Sequence, residues 1–77
     1  MRKFDYEIVK HIATLSKHGI VSKELTYTSY QGSDPKYDLR SWSNFGESEE
    51  RMLKGVTLDE SELQALIAAL DSLKNRS

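Results

Sequence analysis

The 77-residue chain contains no cysteine, only one proline, and no apolar run near the ~18 residues that span a membrane. The absence of cysteine excludes disulfides, cysteine-ligated zinc sites and thiol catalysis. No secretory signal peptide is visible at the start, so a cytoplasmic location is expected. One small domain over residues 1–77 is expected, with a thin core of the kind that oligomerisation often stabilises.

No charge of one sign dominates, because 11 Lys and Arg stand against 12 Asp and Glu, a net charge of −1. The overall basic field that marks many nucleic-acid-binding proteins is therefore absent. The distribution is uneven, since residues 55–77 hold two basic and four acidic side chains. Residues 20–43 mix basic and aromatic side chains, namely Lys23, Lys36, Arg40, Tyr27, Tyr30, Tyr37 and Trp42. This local mixture says more about a binding surface than the total charge does.

Turn-forming residues at 32–35, reading Gly-Ser-Asp-Pro, separate two runs that are rich in β-forming side chains. We expect strands over 21–30 and 36–43, joined as a hairpin. The first segment, residues 4–16, fits either a helix with one apolar stripe or a strand with a phase slip. A long bulged strand is favoured, because β-branched and aromatic residues are plentiful there and no N-cap residue opens a helix.

The second half of the chain predicts a loop, a strand and a helix. Residues 44–51 are polar and acidic, which is typical of a loop, and 54–58 form a short strand. Asp59 and Glu62 have the spacing of a capping box, which predicts a helix over about 60–74. The element order β-β-β-β-α predicts an α+β fold, a curved four-stranded antiparallel sheet followed by one C-terminal helix.

Alternation along the hairpin sorts its side chains onto two faces. The set expected under the helix comprises Leu25, Tyr27, Tyr37 and Leu39. The set expected to be exposed comprises Thr26, Thr28, Tyr30, Lys36, Arg40 and Trp42. Single-stranded nucleic acid is bound by aromatic rings that stack on bases and by cations that follow the phosphates, and this second set offers both. The alternative is an ordinary sheet face with half-buried aromatic residues and solvated charges.

The helix carries one apolar stripe and several small residues. The residues expected to cover the chain's own sheet are Leu63, Leu66, Ile67 and Leu70. The residues expected to remain for a two-fold mate, as a dimer interface, are Ala65, Ala69 and Leu73. The sequence thus predicts a homodimer that packs through its helices.

No catalytic or metal-binding constellation is indicated. His11 and His18 lie seven positions apart without a carboxylate at ligand spacing, so they read as ordinary polar residues. The acidic loop reads as a solvated segment. The sequence shows no spacing that would place a nucleophile beside a general base. We therefore expect neither an enzyme nor a cofactor or metal site.

Three stretches form a pattern together. They are 23–30, reading KELTYTSY, 35–43, reading PKYDLRSWS, and 54–58, reading KGVTL, with the capped helix after them. In this order they resemble the transcriptional positive cofactor four family, and most closely its bacterial YdbC-type branch, over about residues 4–73. Either of the last two motifs alone is a weak signal, and the ordered combination is fairly specific.

The resemblance implies a homodimer that binds single-stranded DNA in curved sheet grooves, with little sequence preference and no enzymatic activity. By position, Arg40 matches an arginine that meets the phosphate backbone, and Tyr30 matches an aromatic residue that stacks on a base. Trp42 falls in the aromatic region at the end of the Arg40 strand. Lys54 matches a lysine before the last strand's glycine, and Lys23 lies near a basic position. The full set of expected nucleic-acid-binding residues is Lys23, Thr28, Tyr30, Lys36, Arg40, Trp42 and Lys54.

Two features depart from the family pattern. Thr28 and Gln31 stand where eukaryotic members have basic residues, and the loop over 44–51 is more acidic than usual. Both departures predict weaker binding, with a shallower slope of log affinity against log salt, about −0.7 per phosphate contact on single strands. The location implied is cytoplasmic and nucleoid-associated, and the process is transcription, replication or repair.

Two alternatives to single-stranded DNA binding stay open. The acidic loop and helix favour an interaction adaptor for transcription or replication proteins. Single-stranded RNA is the other alternative, because base stacking does not distinguish the two sugars. No membrane partner is expected.

Overall fold

The computed structural model describes residues 5–74. Its elements are β1 (Tyr6–His18), β2 (Val21–Tyr30), β3 (Lys36–Ser43), β4 (Arg51–Leu58) and α1 (Glu60–Lys74). The strands form one antiparallel sheet in the order β1-β2-β3-β4, so the α+β prediction is confirmed. No helix in the described part of the chain is long and apolar enough to cross a membrane.

The first segment is a strand, as favoured, and it is irregular. The pairing of β1 with β2 shifts register three times, between residues 8 and 10, 11 and 13, and 14 and 16. Bulges of this kind bend a strand and increase its twist, which explains why no single alternation phase fits the segment. The strand ends at His18 rather than near residue 16, and its predicted start, Phe4, lies outside the described residues. Strand β4 begins at Arg51 rather than at residue 54.

The core lies on one face of the sheet, which we call the inner face. Its buried side chains come from alternate positions of β2 and β3, and they are Ser22, Glu24, Thr26, Thr28, Asp38 and Trp42. The predicted exposure of Thr26, Thr28 and Trp42 is therefore wrong, because each is 0% exposed. The rings of Tyr6 from β1 and Phe45 from the β3–β4 loop pack against Trp42 on this face.

The helix does not cover its own sheet. Asp59 alone links β4 to α1, a connection too short to reverse the chain, and α1 contacts only β3 and β4. None of the helical residues, all within the described range, is buried. The expectation that the leucine stripe covers the chain's own sheet is therefore wrong. Its exposed members are Leu66, Ile67, Leu70 and Leu73.

The predicted capping box at the start of the helix is confirmed. The Asp59 carboxylate accepts a hydrogen bond from the Glu62 backbone N–H at 2.8 Å. The Glu62 carboxylate accepts one from the Asp59 backbone N–H at 2.9 Å. These reciprocal bonds satisfy two N–H groups that otherwise lack partners at a helix start. The hydrogen bond that the Asp59 carboxylate accepts from the Glu62 backbone N–H is the main reason that the pKa of Asp59 is lowered.

Candidate nucleic-acid interface

Three side chains of the inner face form a connected polar cluster on the half of the β2–β3 hairpin toward its connecting turn. The Arg40 Nε and Nη2 groups donate to the two carboxylate oxygens of Asp38 at 2.8 and 2.9 Å. The Tyr30 hydroxyl donates to the same carboxylate. Asp38 is fully buried, whereas Tyr30 and Arg40 are partly exposed. The carboxylate therefore holds a partly exposed guanidinium and a partly exposed phenol in fixed positions beside each other.

Burial and hydrogen bonding keep both exposed groups in one protonation state. Burial, together with the bond to Asp38, raises the pKa of Tyr30 far above its ordinary value of 10.0. The bonds to Asp38 raise the pKa of Arg40. The phenol therefore stays neutral and the guanidinium stays charged over the usable pH range. A guanidinium has five N–H donors in a planar fork, and this geometry suits a phosphate.

The Arg40 side chain needs a glycine on the neighbouring strand. Gly55 pairs with Arg40, and a Cβ built on Gly55 would lie 2.0 Å from the Arg40 Cβ. No real side chain tolerates such a distance, so any other residue would force the two strands apart. The guanidinium also reaches β4, where its Nη1 donates to the Leu53 carbonyl at 3.0 Å. The close approach of Gly55 to Arg40 explains physically why a glycine follows Lys54 in the sequence motif.

A row of aromatic rings fills the other part of the inner face. The Trp42 ring centroid lies 5.4 Å from that of Tyr6 and 5.0 Å from that of Phe45. The Phe45 centroid lies in turn 5.4 Å from that of His11. Trp42 is buried beneath its neighbours, Tyr6 and Phe45 are half-buried, and His11 is exposed. These rings offer stacking surfaces, which base recognition on single strands requires.

Sequence reasoning missed three of these four rings. Phe45 did carry a signal, since it is the only large apolar residue in a loop that is otherwise polar. Tyr6 and His11 carried none, because the register shifts of β1 hide which side chains share a face with Trp42. The predicted hairpin residues alone therefore describe only half of this surface.

A buried carboxylate anchors His11. The Glu24 side chain is 3% exposed, and its Oε1 lies 2.8 Å from the His11 Nε2. The Thr14 hydroxyl donates to the same oxygen. Burial tends to raise the pKa of Glu24, but hydrogen bonds from Ser22, Thr14 and His11 outweigh it, so the net pKa is lowered. The folded protein therefore holds Glu24 as a carboxylate.

This lowered pKa predicts a stability change at acid pH. The unfolded state binds the proton more readily, so the contribution of Glu24 is complete above its ordinary pKa of 4.5 and is lost as pH falls through the lower folded value. We expect Glu24→Gln to flatten the decline in unfolding free energy between about pH 5 and about pH 3. Urea unfolding followed by circular dichroism measures this, with the exposed Glu47→Gln as matched control. An unchanged decline in Glu24→Gln would contradict the assignment.

The structure separates the other expected binding residues. Lys36 is exposed at the start of β3, beside the half of the inner face that holds Thr28. Lys23 and Lys54 line a groove of about 410 Å³, together with Leu39, Arg40, Ser41, Gly55 and Val56. Since Lys23 and Leu39 alternate with buried residues, this groove lies on the outer face of the sheet. Tyr30 and Arg40 are brought together on the inner face, and Arg40 also borders the groove of Lys23 and Lys54. The helical set of Ala65, Ala69 and Leu73 is exposed.

Two comparisons relate the chain to known proteins. The family model described as "Transcriptional Coactivator p15 (PC4)" matches residues 21–69, from the start of β2 into α1. A protein of Treponema pallidum (strain Nichols), described as an uncharacterized protein, is 41% identical over 71 residues, which cover 91% of this chain and 80% of the relative. A bacterial relative is compatible with the bacterial branch predicted above. On the extent of the family match, this chain belongs to the transcriptional coactivator p15 (PC4) family.

Proposed function

We propose that the chain is a sequence-independent single-stranded DNA-binding protein that acts as a homodimer and uses the inner face of its sheet. The observation that carries this proposal is the cluster of Tyr30, Asp38 and Arg40, which presents a fixed guanidinium beside a phenol ring. Membership of the PC4 family, a family of single-stranded DNA-binding coactivator domains, supports the same function in general terms.

Each exposed group of the cluster has a distinct role. The Arg40 guanidinium pairs with a backbone phosphate through N–H groups beyond the three bonds that fix it. The Tyr30 ring stacks on the adjacent base, and every base offers a π face, so the contact is tolerant of sequence. Lys36 adds charge at the edge of the same surface. No chemistry is performed on the DNA, in keeping with the non-enzymatic character of the family.

The functional test is a binding titration with three probes. A labelled poly-dT strand of about 20 nucleotides exceeds the roughly 4–16 nucleotides that a single-strand-binding fold covers. Fluorescence anisotropy at low and moderate salt is compared with duplex DNA and single-stranded RNA of the same length. We expect salt-dependent binding of single-stranded DNA alone, with a slope of about −0.7 per phosphate in log affinity against log salt. Equal binding of the duplex, or none of the single strand, would contradict the proposal, and preferential RNA binding would reassign the ligand.

The homodimer is proposed from the exposed helix. Leu70 and Leu73 are 53% and 63% exposed, although they belong to a continuous apolar stripe. Small residues at 65 and 69 permit close approach of a second helix. A two-fold axis beside the helix buries the same surface on both copies, as closed dimers require. The two inner faces of the dimer then bind the same strand, and this raises the overall affinity because the second contact is intramolecular.

A charge in this stripe is expected to dissociate the dimer. Leu70→Asp places a carboxylate in the proposed interface without a partner, at a cost of about 3–5 kcal/mol per buried charge. This is a loss of at least about a hundredfold in dimer affinity. Analytical ultracentrifugation measures it, with Gln64→Glu as the matched control, because Gln64 lies on the side of the helix away from both the leucine stripe and residues 65 and 69. A wild-type monomer, or a Leu70→Asp variant that dimerises normally, would contradict a helical interface.

A further inference from the structure

The β3–β4 loop folds onto the inner face instead of extending into solvent. The Asn44 backbone N–H donates to the Ile20 carbonyl at 2.8 Å and ties the loop to the β1–β2 turn. The Glu50 carboxylate accepts a bond from the Gly46 backbone N–H at 2.8 Å and another from the Tyr6 hydroxyl. These anchors place Phe45 over the aromatic row.

Phe45 closes the aromatic row between two other rings. Its ring contacts Trp42 edge-on at 5.0 Å and is tilted against His11 at 5.4 Å. Tyr6 covers Trp42 as well, at 5.4 Å. Trp42 is consequently 0% exposed, so no ligand touches its indole unless one of the covering rings moves. Phe45 belongs to a short loop, whereas Tyr6 is fixed in a strand, and Phe45 is therefore the ring that can move.

The indole of Trp42 has an unused hydrogen-bond donor. Among the described residues, its Nε1 is the only buried side-chain nitrogen or oxygen that lacks a hydrogen-bond partner. A buried donor without a partner destabilises the fold, because the N–H group has lost its hydrogen bonds to water and gained none in the protein. All four DNA bases carry carbonyl or ring-nitrogen acceptors on their edges. A base next to Trp42 would supply the acceptor that Phe45, a hydrocarbon ring, does not.

We propose that Phe45 occupies a base-binding slot on the inner face, lined by Trp42, Tyr6 and His11, and that single-stranded DNA displaces it. This inference rests on the proposed function and adds a second base contact, apart from the stacking on Tyr30. In the free protein Phe45 stands where the flat face of a base fits. On binding, the base takes its place against Trp42 and the loop moves away from the sheet.

The charge of the loop fits this exchange. Glu47 and Glu49 are exposed carboxylates of the loop that carries Phe45, so a phosphate that approaches the closed loop meets negative charge. Movement of the loop removes that repulsion together with the aromatic plug. The loop is more acidic than the family pattern. Its charge opposes binding of phosphates alone, so the loop moves only when a base also occupies the slot.

The test compares poly-dT with an abasic strand of the same length. Both carry the same phosphates, and only poly-dT carries bases. Trp42 is the only tryptophan, so its emission reports on the slot, while anisotropy of a labelled strand reports on binding. We expect poly-dT to quench Trp42 by contact and the abasic strand to leave its emission unchanged. Binding of poly-dT without any change in Trp42 emission overturns the slot and leaves the proposed function intact. Absence of binding overturns both.

Two loop variants give an independent readout. Phe45→Ala removes the plug, and one aromatic pair is worth about 0.5–1.5 kcal/mol, so poly-dT affinity is expected to rise about 2- to 12-fold. Tyr6→Phe keeps the ring and releases Glu50, so it is expected to act in the same direction with less risk to folding. Ser48→Ala is the matched control within the loop. Unchanged or weaker poly-dT binding by both folded variants would overturn the proposal, because Phe45 would then be no competitor of the base.

Discussion

Replacement of Trp42 by alanine is expected to unfold the protein or bring it close to unfolding. Trp42 is the only buried apolar side chain among residues 5–74, and truncation of a buried tryptophan costs about 3–5 kcal/mol. Natural domains have about 0.05–0.15 kcal/mol of stability per residue, so this chain has on the order of 4–12 kcal/mol in all. One substitution thus removes a large part of the total. Urea unfolding followed by far-UV circular dichroism, which does not need the tryptophan, measures the loss.

Two further variants separate packing from other effects. Trp42→Phe keeps an aromatic ring and removes the unpaired N–H, so it is expected to lose much less stability than Trp42→Ala. Val56→Ala is the control for a surface change, because Val56 is 56% exposed, and it should change stability by no more than about 0.5 kcal/mol. If Trp42→Ala kept near-normal stability, the buried position of Trp42 in the free protein would be contradicted.

Local chemistry made much of the fold predictable. The turn at 32–35 and the capping box of Asp59 and Glu62 act through neighbouring residues, and both are visible in the sequence. Alternation also identified which side chains of β2 and β3 share a face. These signals sufficed for the order of elements and for the α+β class, because each depends on contacts within a few positions of the chain.

The side of the sheet that is covered was not predictable in the same way. Alternation groups Thr26, Thr28 and Asp38 but does not say whether water reaches them. Polar side chains favour the exposed assignment, yet here they are buried because they satisfy one another. The Thr26 and Thr28 hydroxyls bond each other at 2.7 Å, and Asp38 is bonded to Arg40. The phase slip in β1 predicted a bulged strand, but it did not predict that the pairing shifts register three times or which side chains of β1 would then cover this face.

The helix gives a second example in which the sequence pattern predicts packing but not the surface that is packed against. An apolar stripe indicates that the helix needs a surface to pack against, but it does not say which chain supplies that surface. The one-residue link at Asp59 decides against the chain's own sheet. The predicted binding residues are divided between two faces. Tyr30 and Arg40 meet on the inner face, whereas Lys23 and Lys54 line a groove on the outer face that Arg40 also borders.

Arg40→Ala is expected to weaken binding of single-stranded DNA by about 1.5–3 kcal/mol, the value of a hydrogen bond to a charged group. The slope of log affinity against log salt should become shallower by about 0.7, because one phosphate contact is lost. The substitution also has a second effect. Asp38 is fully buried, and without its partner it becomes an uncompensated charge, which costs about 3–5 kcal/mol of folding stability. Weak binding by the single variant therefore has two possible origins.

The double variant Asp38→Asn, Arg40→Ala distinguishes them. Asparagine removes the buried charge and keeps an oxygen that accepts the Tyr30 hydroxyl, so stability should recover in part. Binding should stay as weak as in Arg40→Ala, because the guanidinium is still absent. Arg40→Lys keeps the positive charge and loses the planar fork, so its salt slope should stay near that of the wild type while its affinity falls. Recovery of binding in the double variant would show that Arg40 acts by stabilising the sheet, and that the phosphate is bound elsewhere.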